Sequence, residues 1–377
     1  MTSPHLFIPT TKVILVRHAR TTYNEQGRYQ GSSDESVLTE KGHQDAFLTG
    51  LALQQYKFDA IYTSPLMRVQ QTTEAIITAL KQKNNSPPVQ IDPLLTEICM
   101  SDWQGLYYQE VKERYATGYR CWQETPHLFN FNNLSFPVIE LFEQAQKFWQ
   151  KVLTQHRGKT ILIVAHGGTN RALISTAIGL NPENYHSLQQ SNCGISYLEF
   201  PQKKLFGKLI YFNRTYHLGE TLPKLKAGKM GYRWLLLSNK IIKELATNLY
   251  FQQITDNHLI NLLLADHSDS DFLADKSLIN HKTLNFSIDR NSSIKSLQQY
   301  LCEQQIFESN LEKATLVTGI VVASDLLISQ ILRETLTLMN PLDIGDYLAV
   351  IHSPQANRHS ILQGILPLNE KLAPQLY

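Results

Sequence analysis

Short apolar runs alternate with stretches of helical period through the first half of the chain. The apolar runs are KVILVR at 12–17, FDAIYT at 58–63, KTILIVA at 159–165 and GISYLEF at 194–200. Between them, VQQTTEAIITALKQK and ELFEQAQKFWQKVLTQH place apolar residues at the spacing of an amphipathic helix. Strands that alternate with helices predict an α/β fold, a three-layer sandwich built on a mostly parallel sheet.

The alternation stops at 217–233, where the chain reads HLGETLPKLKAGKMGYR. This segment is polar, contains three glycines and a proline, and lacks apolar periodicity, which is typical of a linker between domains. We therefore predict a first domain over 1–217, a linker over 218–233 and a second domain over 234–377.

The second half repeats part of the pattern of the first half. ILIVAHGGTNRALISTAIGLNP at 161–182 matches GIVVASDLLISQILRETLTLMNP at 319–341 if one single-residue gap is allowed. In the same way, RWLLLSN at 233–239 resembles KVILVRH at 12–18. These matches predict a degenerate second copy of the first domain's α/β fold. The alternative is that any two strand–helix units look alike.

Composition excludes several classes of protein. The 377 residues suffice for two domains, and the 35 basic and 33 acidic residues nearly cancel, so we expect no nucleic-acid or membrane partner. No run of about 18 apolar residues occurs, and the N-terminus lacks the pattern of a secretory signal. Four scattered cysteines favour neither disulfides nor a metal site, and a cytoplasmic location is expected.

Charged and imidazole side chains follow the predicted strands. Arg17 and His18 end the first strand, Arg68 follows the second, and His166 with Gly167 follows the strand at 159–165. Ligands of such sheets bind at the carboxyl ends of the strands. Two guanidinium groups and two imidazoles at one edge suit an oxyanion or a phosphate.

These residues, in this order, make the chain resemble the histidine phosphatase superfamily over about residues 12–217. The resemblance rests on the following positions: Arg17, His18, Asn24, Ser64, Arg68, Glu97 and His166. One departure is Ala19, which stands where the family usually has glycine. Alanine at this position would be strained if the backbone needed a positive φ.

The resemblance implies a phosphatase that uses no metal and no cofactor and acts on a small phosphorylated metabolite. His18 is the expected nucleophile, and Arg17, Arg68 and His166 are expected to hold the phosphoryl oxygens. Glu97 is expected to protonate the leaving group and then to activate water. The substrate-binding set is completed by Asn24, Gly31 and Gly167.

Two other functions use the same residues. A phosphoglycerate mutase would keep the phosphoryl group and exclude water, although the segment EICMSDWQG resembles the phosphatase members of the family. A sensor would only bind a phosphorylated ligand, which leaves the intact His18, Glu97 and His166 without a purpose. The aromatic segment 106–133 is a candidate lid, with four residues considered for it: Tyr107, Arg120, Trp122 and His127.

The second half lacks the reactive side chains. Ser238 and Asn239 align with Arg17 and His18, and Ser324 replaces His166. None of the three can form a phosphohistidine. A structural, dimerising or regulatory role is expected for this domain, and a homodimer is among the assemblies that this role allows.

Overall fold

The structure is a computed structural model. It describes residues 9–82, 87–131, 135–201, 206–225, 230–241, 248–258, 262–265, 282–285, 316–338, 342, 345–354 and 359–368. The chain forms two compact units, residues 1–186 with 190–210 and residues 187–189 with 211–377. Part of the predicted linker, 226–229, lies outside the described residues. The boundary at 217 stays a prediction.

The first unit contains five strands and seven helices among its described residues. The strands are β1 (Thr11–Arg17), β2 (Ala60–Thr63), β3 (Val89–Ile91), β4 (Thr160–Ala165) and β5 (Ile195–Phe200). The helices are α1 (Thr22–Gln26), α2 (Glu40–Leu53), α3 (Met67–Lys81), α4 (Tyr108–Arg114), α5 (Ala116–Glu124), α6 (Pro137–Gln155) and α7 (Gly167–Ile178). The strand β6 (Lys208–Arg214) leads into the second unit.

The sheet of the first unit has the strand order β3-β2-β4-β1-β5. All neighbours are parallel except β5, which is antiparallel to β1. The predicted α/β fold with a mostly parallel sheet is therefore confirmed. The middle of β1, residues 13–16, is apolar and fully buried, as expected of a strand covered on both faces.

Helix boundaries follow local chemistry. Pro137 begins α6, where its missing N–H costs nothing, and the buried residues of this helix recur every three or four positions. Gly179 ends α7 in the left-handed conformation, with φ of 80°. Thr39 caps α2 by accepting a hydrogen bond from the Gly42 N–H.

The register between β1 and β4 determines where the site forms. Val16 pairs with Val164 and Arg17 pairs with Ala165. Because the strands are parallel and in register, the next residues, His18 and His166, leave the sheet side by side.

The second unit contains six strands and two helices among its described residues. The strands are β7 (Gly231–Ser238), β8 (Leu262–Ala265), β9 (Lys282–Asn285), β10 (Leu316–Ala323), β11 (Tyr347–Ser353) and β12 (Ile361–Pro367). The helices are α8 (Leu249–Asn257) and α9 (Asp325–Leu336). β7 begins inside the predicted linker, because Gly231 and Tyr232 already pair with β10.

The strand order of this second sheet is β12-β11-β7-β10-β8-β9. β7 is parallel to β10, β10 to β8 and β8 to β9, whereas β11 is antiparallel to β7. The same order and directions relate β1, β4, β2, β3 and β5 in the first unit.

The register extends the match between the units. Ser238 pairs with Ala323, as Arg17 pairs with Ala165. Asn239 and Ser324 therefore occupy the positions of the two histidines. The degenerate second copy stays a prediction, and its support is this agreement of topology and register. The matching Asn-Pro at 340–341 lies outside the described residues.

Within the described part of the chain, no helix combines the length and the apolar character that a membrane crossing requires.

Candidate active site

Two buried histidines stand at the centre of the site. The ring centroids of His18 and His166 are 5.4 Å apart in an edge-on arrangement. The side chains are almost inaccessible, with 2% of His18 and 0% of His166 exposed. Each follows a parallel strand directly, so the sheet itself brings the two rings together.

The tautomer of His18 follows from one hydrogen bond. Its Nδ1 lies 2.8 Å from the carbonyl oxygen of Ala19. Because a carbonyl oxygen can only accept, Nδ1 carries the proton and Nε2 keeps its lone pair. Burial lowers the pKa of His18 well below the ordinary histidine value, and the charges of Arg17 and Arg68 lower it further. The ring is therefore neutral and nucleophilic at Nε2.

His166 is oriented by Ser64. The Ser64 hydroxyl lies 2.7 Å from His166 Nε2 and accepts a hydrogen bond from the Leu66 N–H. Burial lowers the pKa of His166 well below the ordinary histidine value, with Arg68 adding to the effect. If the hydroxyl donates to Nε2, the proton of this neutral ring is on Nδ1. That Nδ1 is buried without a partner among the described residues.

Two guanidinium groups flank the histidines. Arg17 donates from Nη1 to the carbonyl oxygen of Gln190 at 2.7 Å. Arg68 is fully buried and donates from Nη1 to the Ser33 carbonyl at 2.6 Å and from Nη2 to the Gly31 carbonyl at 2.7 Å. Burial lowers the pKa of Arg68 to about 10, which still leaves it charged at neutral pH. The Nε atoms of both arginines are buried without a partner in the described part of the chain.

Glu97 lies against the beginning of α7. Its Oε1 accepts from the N–H groups of Ile98 at 2.9 Å and Thr169 at 3.0 Å, and from the Thr169 hydroxyl at 3.3 Å. Its Oε2 accepts from the Gly168 N–H at 2.9 Å. A carboxylate at this end of a helix is favoured by the unpaired N–H groups and by the helix dipole.

Gly168 makes this contact with Glu97 possible. A Cβ at position 168 would lie 2.4 Å from Glu97 Oε1 and 2.5 Å from the Tyr185 hydroxyl. Any side chain would therefore push the carboxylate away from the helix.

The three predicted substrate-binding residues lie at the site but contact protein groups. Asn24 accepts at Oδ1 from Asn192 at 3.1 Å, and the Gly31 carbonyl holds Arg68. Gly31 has a φ of 52°, and a Cβ there would overlap Gln104. A Cβ on Gly167 would lie 3.2 Å from Arg17 Nε, so this glycine adjoins the arginine. Their roles toward a substrate stay predictions.

The backbone accommodates alanine at position 19. Ala19 is fully buried, is not among the described non-glycine residues with positive φ, and donates its N–H to the Thr72 hydroxyl at 3.0 Å. Alanine at this position is therefore free of the strain expected of a residue that replaces a glycine with positive φ.

The lid candidates are dispersed. Trp122 is only 7% exposed and packs edge-on against Phe129 and Tyr185, so it belongs to an aromatic cluster. Tyr107 is exposed and accepts a hydrogen bond from Arg28 Nη2 at 2.7 Å. Arg120 is exposed and His127 is partly buried, and no described contact links either of them to the two histidines.

Sequence reasoning missed three residues at the site. Asn192 donates from Nδ2 to the carbonyl oxygens of His18 at 2.9 Å and Ala19 at 3.2 Å. Tyr108 and Arg171 are close enough to Arg17 to shift its pKa. Burial has the largest effect and lowers the pKa of Arg17, whereas Tyr108 raises it and the charge of Arg171 lowers it. Of the three, only Arg171 could have been identified from the sequence, because it stands one helical turn after Gly167.

The site suits an anion. Its fold and its side chains define a class of proteins that handle phosphoryl groups at the carboxyl ends of parallel strands. No group of three or more acidic, cysteine or histidine side chains with the geometry of a metal site occurs among the residues that the structure describes.

Comparison with known proteins defines the family. The chain belongs to the histidine phosphatase superfamily (branch 1), whose profile matches residues 13–212. Wheat (Triticum aestivum) 2-carboxy-D-arabinitol-1-phosphatase is 44% identical over 189 residues, which cover 50% of this chain and 37% of the wheat protein. The chain therefore spans little more than a third of the length of that relative.

Two further proteins match about half of the chain. Phosphoserine phosphatase 1 of Hydrogenobacter thermophilus is 31% identical over 209 residues, which cover 55% of this chain and 95% of that protein. The solved structure of Bacillus stearothermophilus YhfR is 27% identical and covers 53% of this chain and 95% of its own, with a TM-score of 0.48.

Proposed function

We propose that the chain is a phosphomonoesterase that hydrolyses small phosphorylated metabolites, sugar or organic-acid phosphates, through a phosphohistidine on His18. The observation that carries this proposal is a set of three buried side-chain nitrogen atoms without a partner among the described residues: Arg17 Nε, Arg68 Nε and His166 Nδ1. A buried donor without a partner costs about 1–3 kcal/mol. A bound phosphoryl group supplies acceptor oxygens for all three beside the neutral ring of His18.

In the first step, the lone pair on His18 Nε2 attacks phosphorus, and the bond from phosphorus to the ester oxygen breaks. Arg17, Arg68 and His166 stabilise the charge on the phosphoryl oxygens. A proton on Glu97 passes to the leaving oxygen, which departs as an alcohol. Oε2 of Glu97 is the better placed oxygen, because it accepts one hydrogen bond whereas Oε1 accepts three.

In the second step, water attacks the phosphohistidine. Glu97, now a carboxylate, takes a proton from the water as the new oxygen–phosphorus bond forms. The nitrogen–phosphorus bond breaks and its electron pair returns to Nε2. Phosphate leaves, and both His18 and Glu97 regain their starting states.

Further parts of the proposal concern the setting of the reaction. Every step uses side chains of this chain alone, so we propose that the reaction needs neither metal nor cofactor. The names of the wheat and Hydrogenobacter relatives support a small phosphorylated substrate. A cytoplasmic location and a homodimer remain parts of the proposal that rest on composition and on the second unit.

The test is a substitution of the nucleophile, His18→Ala, in the full-length protein. We expect phosphate release to fall to background and the unfolding transition to be retained. Wild-type protein quenched in base after reaction with a ³²P-labelled phosphomonoester should carry base-stable, acid-labile label, and the variant should carry none. Full activity in the variant would overturn the assignment, and the assays should be run in EDTA.

The same assay separates the alternatives. A hydrolase releases phosphate in proportion to substrate consumed, whereas a mutase returns the phosphoryl group to an acceptor alcohol. A binding protein shows saturable binding without release of phosphate.

Trp103 does not help to choose between these roles. It is fully buried beside Tyr115, Trp122 and Phe129, so aromatic packing accounts for its position.

A further inference from the structure

The loop before β5 is bonded to both the backbone and the side chain of Arg17. The Gln190 carbonyl accepts from Arg17 Nη1 at 2.7 Å, and the Cys193 N–H donates to the Arg17 carbonyl at 3.1 Å. The Arg17 N–H in turn donates to the Gly194 carbonyl at 3.4 Å. The residues of this loop therefore lie directly beside one of the arginines of the active site.

Gln190 carries a hydrogen-bond donor that the described protein does not use. The residue is only 7% exposed, and its Nε2 is buried without a partner among the described residues. Buried side-chain amides in folded proteins nearly always have a partner, so an exception needs an explanation such as a ligand. The Gln190 amide is therefore free to donate to a bound group.

Three other buried nitrogens without a partner in the described part of the chain belong to the same site: Arg17 Nε, Arg68 Nε and His166 Nδ1. Gln190 and Arg17 are joined by a hydrogen bond, so their two unused nitrogens belong to adjoining residues. A phosphoryl group presents three strong acceptor oxygens. One ligand of this kind has enough acceptor positions for all four nitrogens.

We propose that Gln190 donates from Nε2 to an oxygen of the phosphoryl group, so that the loop before β5 supplies a fourth residue that binds this group. This inference rests on the proposed phosphatase function, because it concerns the group that the reaction transfers. The amide is neutral. It adds a hydrogen bond without adding charge to a site that already buries two guanidinium groups, where a further buried charge would be costly.

The test replaces the amide by an apolar side chain of similar size, Gln190→Met, in the full-length protein. Orthovanadate, an analogue of phosphate, serves as the probe, and its affinity is measured from the rise of the unfolding temperature with its concentration. We expect this affinity and kcat/KM for an alkyl phosphate to fall about ten- to a hundredfold, the range of one hydrogen bond to a charged group.

The stability of the variant without ligand is the second readout. The unfolding temperature of Gln190→Met should equal or exceed that of wild-type protein, because the substitution removes a buried donor that has no partner in the folded chain. A structural amide would give the opposite result, since its loss would break a hydrogen bond of the folded state.

Two further variants complete the experiment. Gln190→Glu keeps the shape but replaces the donor by a carboxylate that repels a phosphoryl dianion, so its loss should exceed that of Gln190→Met, and it serves if the methionine variant fails to fold. Gln54→Met is the matched control, because Gln54 Nε2 donates to the Ala79 carbonyl at 2.8 Å just after α2. The control should lower the unfolding temperature and keep orthovanadate affinity and kcat/KM within about twofold of wild type.

The outcomes separate this inference from the proposed function. Wild-type orthovanadate affinity in the Gln190 variants would overturn the inference, and so would a loss of affinity accompanied by a fall in unfolding temperature like that of Gln54→Met. A loss of affinity and of kcat/KM at an unchanged or higher unfolding temperature supports it. Phosphate release that survives His18→Ala would instead overturn the phosphatase, and the binding of orthovanadate, which needs no turnover, would still test Gln190.

Discussion

The two buried histidines make the stability of the first unit depend on pH. Both stay neutral in the folded chain, because burial and the neighbouring arginines lower their pKa values. In the unfolded chain a histidine is protonated near pH 6.5. Below that pH the unfolded state binds more protons than the folded state, so the free energy of unfolding falls as the pH falls.

The prediction concerns the slope of stability against pH. Between pH 7.5 and 5.5, wild-type protein should lose about 1.4 kcal/mol more of its free energy of unfolding than the His18→Gln variant does. This is the contribution expected from one histidine that stays neutral in the folded state at a pH one unit below its pKa in the unfolded state. Urea denaturation at both pH values measures this difference. His43→Gln, at an exposed position on α2, is the control and should keep the wild-type slope.

Also at the residue scale, two adjacent glycines should differ in how they tolerate a methyl group. Gly168→Ala places a Cβ 2.4 Å from Glu97 Oε1, and Gly167→Ala places one 3.2 Å from Arg17 Nε. Displacement of the carboxylate should lower kcat for an alkyl phosphate by about a hundredfold, since a shift near 1 Å can cost that much. The Gly167 variant should lose less, because a shift of a few tenths of an ångström relieves the contact of its Cβ with Arg17.

Steady-state kinetics of both variants on an alkyl and an aryl phosphate provide the check. The loss of kcat in Gly168→Ala should be smaller on the aryl phosphate, because its leaving group needs less help from an acid. Equal losses in the two variants would show that Glu97 is not held by this contact.

At the scale of elements, the loop before β5 fixes the exit of β1. Asn192 precedes β5 and donates to the carbonyl oxygens of both His18 and Ala19, and to Asn24 Oδ1. The antiparallel pairing of β5 with β1 brings this loop to the reactive histidine. Through Asn192 the loop therefore holds the backbone of the nucleophile in place.

Asn192→Ala should lower kcat by about tenfold to a hundredfold, because the His18 ring loses part of the support of its backbone. The KM should change little if phosphate binding depends on the arginines. The unfolding temperature of the variant is the control for a purely structural effect. A loss confined to KM would contradict the positioning role.

For the whole molecule, the described strands of the second unit repeat the strand order of the first, with Asn239 and Ser324 at the positions of its two histidines. Ser324 stands where His166 stands, but it caps α9 by accepting a hydrogen bond from the Leu327 N–H at 3.4 Å. Asp325, the first residue of α9, forms an ion pair with Lys240 at 2.6 Å. An acidic group therefore lies at the carboxyl end of the second unit's strands, whereas the same end of the first unit's strands carries groups that suit an anion. We therefore predict that the described end of this sheet holds no catalytic site.

Ser324→Ala should therefore leave phosphatase activity within about twofold of wild type while it lowers the stability of the second unit by about 1 kcal/mol, the usual effect of a lost helix cap. His166→Ala, at the corresponding position of the first unit, should abolish most of the activity. The measurements that check this are the phosphatase activity and the thermal unfolding of both full-length variants. A large loss of activity in Ser324→Ala would show that the second unit takes part in the reaction.

Much of the fold and of the site follows from the sequence. The four apolar runs predicted β1, β2, β4 and β5, because a strand buried on both faces is rich in apolar side chains. Parallel strands then carry the residues after them, His18 and His166, to one edge. Both the α/β fold and the meeting of these histidines were open to prediction for that reason.

Contacts between distant parts of the chain were decided only by the tertiary structure. Arg17 bonds Gln190 across 173 residues, Asn192 bonds His18 across 174, and Glu97 bonds Gly168 across 71. No local pattern marks such partners, because they depend on how loops close over the sheet. The sequence by itself determined which side chains reach the edge of the sheet. The packing decided which of them are neutral, which are held by backbone groups, and that Arg171 joins them.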